Sequence, residues 1–146
     1  MASGGPSGRG HRGVPHTADL RIEAWAPSRE ACIAEAVTGL VEGFADTSGV
    51  RRLRTVELDV PPGPDEDLLV WVLDEVIFRL EVEGDIVLDA GFVPADGGGL
   101  TARLTVGDVV EATAVGAVPK AVSLHGLRFG ADPDAGGWSC AVTVDV

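Results

Sequence analysis

The sequence predicts an α+β domain, two helices packed on an antiparallel or mixed β-sheet. Three observations predict it. Two stretches, about 29–44 and 65–80, carry apolar side chains at helical spacing, the mark of an amphipathic helix. Other stretches alternate apolar and polar residues, as half-buried strands do. The order is strand, helix, strand, helix and then mostly strands, which separates the helices from the bulk of the sheet.

The elements follow in order. Leu20, Ile22 and Ala24 alternate with Arg21 and Glu23 and predict the first strand. Pro27-Ser28 offers a helix start, with Ser28 as N-cap and Glu30 in the first turn. Ile33, Val37, Leu40, Val41 and Phe44 then share a face, and Asp46-Thr47-Ser48-Gly49 supplies a stop. Val56, Leu58 and Val60 alternate with Thr55, Glu57 and Asp59 in a second strand. The stiff run Pro61-Pro62-Gly63-Pro64 delivers the chain to the second helix. Asp65 is its expected N-cap, and the acids at 65–67 face the positive end of the helix dipole. Leu68, Leu69, Val72, Leu73, Val76, Ile77 and Leu80 form its stripe, and Glu83-Gly84-Asp85 closes it. Ile86-Val87-Leu88 predicts a short strand, and residues 100–106 alternate cleanly. Gly107-Asp108 has the composition of a hairpin turn, which predicts a further strand over 109–114. The last two strands are expected over about 120–129 and 138–146, with loops at 97–99 and 132–137.

The length, 146 residues, is that of one domain, and no internal repeat is visible. Residues 1–12, Gly- and Ser-rich at the start, are expected to form a disordered tail rather than a signal peptide, and residues 13–146 the domain. Asp+Glu 23 against Lys+Arg 11 gives a formal net charge of −12. Such a surface repels phosphate backbones, so direct nucleic-acid binding is not expected. It keeps a protein soluble, and it also suits docking on a basic partner. No apolar run approaches the roughly 18 residues of a membrane span, so no membrane association is expected. Cys32 and Cys140 show no zinc spacing and are too few for a disulfide framework. Buried free thiols in a reducing, cytoplasmic compartment are the expectation.

The candidate chemistry lies at the two ends. Asp19 sits in His16-Thr17-Ala18-Asp19-Leu20, and Asp145 is the second-last residue of a terminal strand. If the first and last strands lie together, the Asp19 and Asp145 carboxylates converge with the terminal carboxylate of Val146. Like charges that close are costly unless a proton or a cation neutralises them. A hard divalent cation held by oxygens resolves the repulsion. Strand parity puts Asp145 on the more polar face, with Ser139, Ala141 and Thr143. The plainer alternatives are a solvated Asp145 at a fraying terminus and an Asp19 that bonds its own turn. His16 requires a bend at Thr17-Ala18 to reach Asp19 and reads as a buttress behind the ligands. His125 is a lone histidine in mid-strand. Lys120, the one lysine of the chain, either pairs with the many acids or offers a fixed charge to a phosphate or partner carboxylate. No phosphate-binding glycine loop, dinucleotide fingerprint, nucleophile elbow or Cys/His pair is present. No catalytic residue is assigned.

Four blocks, in order, resemble the archease family over about residues 14–146. They are His16-Thr17-Ala18-Asp19 with its strand and Ser-capped helix, and Asp65-Glu66-Asp67-Leu68-Leu69-Val70-Trp71-Val72-Leu73. They continue with Pro119-Lys120-Ala121-Val122-Ser123-Leu124-His125-Gly126-Leu127 and the ending Val144-Asp145-Val146. Gly13-Val14-Pro15 stands where the family carries an aromatic lead-in, which implies a shortened first strand. Ser123-Leu124 stands where Thr-Tyr is common. The resemblance implies an archease-like fold and a non-catalytic cytosolic activator of RtcB-type RNA ligases in tRNA splicing and RNA repair. Such an activator promotes guanylylation of the ligase and multiple turnover. The resemblance also implies a divalent metal, calcium or magnesium or manganese, on Asp19, Asp145 and the Val146 carboxylate. It implies an activating role for Lys120, with His16 and His125 as possible neighbours of the ligands. Two other readings remain open: a small metal-dependent hydrolase of a phosphorylated substrate, with His125 as acid or base, and a metal-independent adaptor or chaperone.

Overall fold

The computed structural model describes residues 8–15, 19–134 and 136–146. The chain begins with β1 (Gly10–Pro15) and β2 (Asp19–Ala26), followed by α1 (Arg29–Glu42) and the two-residue β3 (Ala45–Asp46). β4 (Arg54–Val60) leads to α2 (Asp65–Phe78), which runs into a π-helical turn at Arg79–Glu83. Then come β5 (Asp85–Pro94), β6 (Leu100–Asp108), a 3-10 turn at Val109–Glu111 and the short β7 (Thr113–Ala114). The long β8 (Ala121–Asp132) and β9 (Gly137–Asp145) complete it. One sheet has the order β1-β2-β9-β8, a second β4-β6-β5, and β3 pairs with β7. Every pairing is antiparallel. This is the expected α+β architecture.

The two helices hold the sheets together. α1 packs on β2 of the first sheet and β5 of the second, and α2 packs chiefly on β8. The stripe Cys32, Ile33, Val37 and Leu40 is fully or almost fully buried, as are Leu68, Leu69, Val72 and Leu73. They meet Ile22, Ala24 and Ala26 of β2, Val142 and Val144 of β9, and Leu100, Ala102, Leu104 and Val106 of β6 in one core. The period-two pattern holds on β2 and along most of β6, while on β9 Cys140, Ala141 and Val142 are buried in succession. Both cysteines are buried free thiols. Cys32 donates to the Ala24 carbonyl at 3.7 Å. Its hydrogen bond with Cys140, and then burial, push the Cys32 thiol far above its ordinary range.

Several local expectations are corrected. β1 takes in Gly10, His11 and Arg12, which the sequence reading assigns to the tail, so the strand before Asp19 is not short. Its sequence lacks apolar alternation because glycine makes room for its neighbour: a Cβ on Gly10 would lie 2.6 Å from the Trp25 ring. Ser28 caps α1 as expected, accepting from the Ala31 N–H at 3.1 Å. Asp65 does not cap α2. Pro64 holds the N-cap position, and the Asp65 carboxylate accepts from Arg29 at 2.9 Å. The strand expected at 86–88 extends over Asp85–Pro94, with a bulge between Val87 and Asp89. Gly107-Asp108 is no hairpin turn but the end of β6, paired with Ile86 and Asp85. Gly107 is there because Val50 and the Arg51 carbonyl press on it; a Cβ would meet them at 2.4 and 2.5 Å. Residues 109–114 form the 3-10 turn and β7 instead of a long strand.

Among the described residues one charged group is buried: Asp85 is 5% exposed. It accepts from Arg54 Nη2 at 2.6 Å, with Arg79 Nη1 at 3.6 Å, and Arg79 also pairs with Glu75 at 3.1 Å. Removing the carboxylate strands the largely buried Arg79 guanidinium next to one acid instead of two. Asp85→Ala is therefore expected to lower stability by about 2–3 kcal/mol, below the buried-pair range because Arg54 is half exposed. Urea denaturation checks it, and a loss under about 0.5 kcal/mol would refute the network's role.

Candidate functional site

β2 and β9 are the inner strands of the four-stranded sheet, and their register sets Asp19 directly opposite Asp145. Directly opposed residues share a face. The neighbouring pair, Leu20 and Val144, faces the helices, and Val144 is fully buried. Asp19 and Asp145 therefore stand on the outer face, where Asp145 is exposed. On the other side of β9, Asp145 lies opposite Ala121, the first residue of β8. Lys120 donates its backbone N–H to the Asp145 carbonyl at 2.7 Å, while its residue surface stays exposed. Val146 follows and shares with Asp19 the wall of a cavity of about 530 Å³. The first strand, the last strand and the Lys120 segment thus meet at one end of one sheet.

Electrostatics leaves the two aspartates uncompensated. Among the described residues neither forms an ion pair. Arg21, next along the same face, sends its guanidinium elsewhere: to Thr143 Oγ1 at 3.1 Å and to the Gly126 carbonyl at 3.4 Å. Among the described residues no group of three His, Cys, Asp or Glu side chains stands ready to hold a metal ion. The donors at this end are two side-chain carboxylates and backbone oxygens, those of Val146 included. All are hard oxygens, which fit calcium, magnesium or manganese with water completing the shell, and not zinc.

The remaining candidates separate. His16 lies outside the described residues. His125 is not a regular strand residue. The β8–β9 register runs from Ser123↔Thr143 to Arg128↔Ala141, so residues 124–127 bulge out opposite the single residue Val142. Gly126 takes φ 71°, and Ser123 Oγ accepts from the His125 N–H at 3.2 Å. The bulge leaves His125 exposed on the edge strand.

Sequence reasoning missed His11. It lies on β1 and ties that strand to α1, with Nδ1 2.8 Å from Glu35 Oε1 and Nε2 2.7 Å from Glu42 Oε1. Glu35 also pairs with Arg9. His11, Gly39, Glu42 and Gly43 line the cavity together with residues 115–117. Glu35 and Glu42, seven residues apart on α1, signal two carboxylates on one helix face. Nothing in the Gly-rich start identifies the histidine between them. Burial pulls the His11 pKa down, but hydrogen bonds and charge from Glu42 and Glu35 prevail and raise it above 6.5. Burial pushes Glu35 up, but His11 and Arg9 prevail and lower it below 4.5.

A stability profile follows from the His11 shift. A raised histidine contributes fully below its unfolded value of 6.5 and loses that contribution as pH climbs through the folded value. Wild type should exceed His11→Gln in Tm most near pH 6, with the difference shrinking toward about pH 9. Thermal melts across that window check it; a difference that stays constant with pH contradicts the charged His11 bridge.

The comparisons with known proteins agree with one another. Residues 11–146 match the Archease protein family. A probable protein archease of Mycobacterium tuberculosis is 48% identical over 137 residues, covering 94% of this chain and 75% of that protein. The protein archease of Archaeoglobus fulgidus is 26% identical over 137 residues, covering 93% and 98%. The solution structure of Methanobacterium thermoautotrophicum protein 1598 superposes with a TM-score of 0.75 at 22% identity, covering 94% of this chain and 99% of that one, which shows the same fold.

Proposed function

Because this chain belongs to the archease family, we propose that it is a protein cofactor that activates an RtcB-type RNA ligase in tRNA splicing or RNA repair. It promotes guanylylation of the ligase and multiple turnover, and the joining of RNA ends is the ligase's own chemistry. The observation that supports the reading is the register that opposes Asp19 and Asp145 on the outer face of the central strands. In this reading the two side chains and the carboxylate of Val146 hold a divalent cation. When bound, the cation supplies positive charge that draws phosphate oxygens.

The residues of this chain do the holding and presenting. The carboxylates lie at the rim of a sheet and not at the bottom of a closed pocket, a place suited to entering another protein's site. Lys120 is exposed beside them, with no ion pair among the described residues, and offers a second positive charge to a phosphate or a partner carboxylate. The surface of net charge −12 suits a ligase that must itself be basic to grip RNA. No described helix is long and apolar enough to cross a membrane. The reading places the protein in the cytoplasm with its ligase.

Two outcomes are expected. Asp19→Asn and Asp145→Asn should each weaken calcium binding, read by calorimetry, by about 10–100-fold and abolish stimulation of multiple-turnover ligation. Their Tm without metal should hold or rise slightly, because a like-charge cross-strand pair is removed. A glycine appended after Val146 should weaken the same binding. Retained calcium binding in both aspartate variants would sink the metal site. Lys120→Ala should lower stimulation by about tenfold, or about 1.4 kcal/mol, with calcium affinity unchanged. A variant that stimulates like wild type removes Lys120 from the mechanism.

A further inference from the structure

The chain holds two cysteines, Cys32 and Cys140, and neither has a part in the function proposed above. Both are buried in the core as free thiols. They come from opposite ends of the sequence, the first turn of α1 and the middle of β9, yet they meet. Cys32 Sγ lies 3.7 Å from the Ala24 carbonyl oxygen. Cys140 stands directly opposite Ala24 across the β2–β9 pair and is buried on the same side of the sheet. The two thiols are in hydrogen-bond contact. Their neighbours along each element are small: Ala24 and Ala26 on β2 and Ala36 one turn along α1, all buried. A disulfide needs its two Cα atoms within about 7 Å of each other, and small neighbours favour that approach of helix to strand.

A cysteine placed for packing alone behaves as a small apolar side chain and has no need of a second one. Two residues placed independently in so large a core would seldom touch. Here the only two do, and the contact makes them unequal. The hydrogen bond with Cys140, and then burial, keep Cys32 protonated. The hydrogen bond with Cys32, aided by the Ala24 backbone and the Arg128 charge, prevails over burial and holds the Cys140 thiol below its ordinary range. One sulfur is thereby the better nucleophile and the other keeps a proton to give, the division of labour between an attacking and a resolving thiol. Cys32 also makes the first hydrogen bond of α1, from its N–H to the Ser28 carbonyl at 3.0 Å. Helix ends open at lower cost than the core behind them, which gives a small neutral oxidant a way in.

We infer that Cys32 and Cys140 form a redox modification site, a dithiol that hydrogen peroxide converts to a disulfide between α1 and β9 of the folded chain. The Cys140 thiolate attacks one peroxide oxygen and the O–O bond breaks. Cys140 becomes a sulfenic acid, and the departing hydroxide takes up the proton that Cys140 released and leaves as water. The Cys32 sulfur then attacks the sulfenic sulfur. The S–O bond breaks, the hydroxyl leaves with the Cys32 proton as a second water, and the S–S bond forms. Two electrons pass from the sulfurs to the peroxide. A small thiol reductant reverses the change by exchange. The cross-link fastens α1 to the strand that carries Asp145, and it stands whether or not the chain activates a ligase.

The test exposes the full folded chain to hydrogen peroxide and maps its peptides by mass spectrometry without reduction. The expected product is a single peptide pair joined through Cys32 and Cys140, absent after dithiothreitol. Closing so long a loop should raise the Tm of the oxidised chain by about 5–10 °C. Cys32→Ala should instead stop at a sulfenic acid on Cys140, trapped by dimedone, and Cys140→Ala should leave Cys32 unmodified under the same exposure. Dimedone trapped on Cys32 in Cys140→Ala as readily as on Cys140 in Cys32→Ala overturns the assigned order of attack. Should either variant fail to fold, the wild-type map decides alone. Thiols that stay free in wild type, sulfinic or sulfonic acid in place of the joined pair, or a disulfide that forms only in denaturing urea overturn the site.

Discussion

The pairing of β2 with β9 is the constraint on which the rest of the structure depends. It joins the start of the domain to its end, and its register runs unbroken from Ala26↔Trp138 to Asp19↔Asp145. On the inner face, Ile22, Ala24, Cys140, Val142 and Val144 are buried. On the outer face stand Asp19, Arg21 and Glu23 with Asp145, Thr143 and Ala141. A slip of one residue would turn the aspartates toward α1 and the core aliphatics toward water, an exchange worth several kcal/mol. The hydrophobic core therefore fixes the position of the two carboxylates. The strain of placing them together is carried by packing that has nothing to do with their chemistry.

The distribution of positive charge makes the same end distinctive. Arginines are committed across the surface: Arg9 to Glu35, Arg12 to Glu23, Arg29 to Glu30 and Asp65, Arg51 to Glu111, Arg103 to Glu57. Arg54 and Arg79 are held at the buried Asp85. Arg21, the arginine closest in register to the aspartates, is engaged by Thr143 and the bulge carbonyl. A chain with twice as many acids as bases leaves its acids unpaired somewhere. Here an opposed pair is left so on the central strands, at an exposed rim, with the one lysine held beside it by its backbone. Exposed pairs of that kind are weakly unfavourable rather than disruptive, so the fold tolerates them and a cation can relieve them.

The large periodic elements were legible in the sequence because burial writes its period directly into side-chain type. Ile33-to-Leu40 and Leu68-to-Ile77 announce helices, and Leu20-to-Ala24 and Leu100-to-Val106 announce strands. The face of Asp145 could be read from the same parity. Its partner could not, since register between strands about 120 residues apart lies in no local pattern. β1 escaped because it is built from glycines that yield to Trp25 and Leu20 rather than from alternating apolar residues. Gly107 misled for the related reason that glycine serves close approach as well as turns. The bulge at 124–127 was hidden because Val122 and Leu124 alternate and so do Leu127 and Phe129, while the odd spacing between the two pairs, where the backbone turns through Gly126, was its one mark in the sequence.

These hidden features share a location. β1 and the segment after β7 both line the cavity, and the bulge of β8 lies near the carboxylate end on the strand beside β9. Regular strands and helices need only agree with their own burial pattern, whereas this end is assembled from segments that depart from it: glycine-relieved backbone, an anchored irregular stretch and an edge strand forced off register. Departures of that kind survive when neighbouring contacts over-determine them, as Arg21 and Ser123 do for the bulge. The contrast between a core that follows its local burial pattern and one sheet end that breaks it is itself the physical reason to look for contact with a partner there.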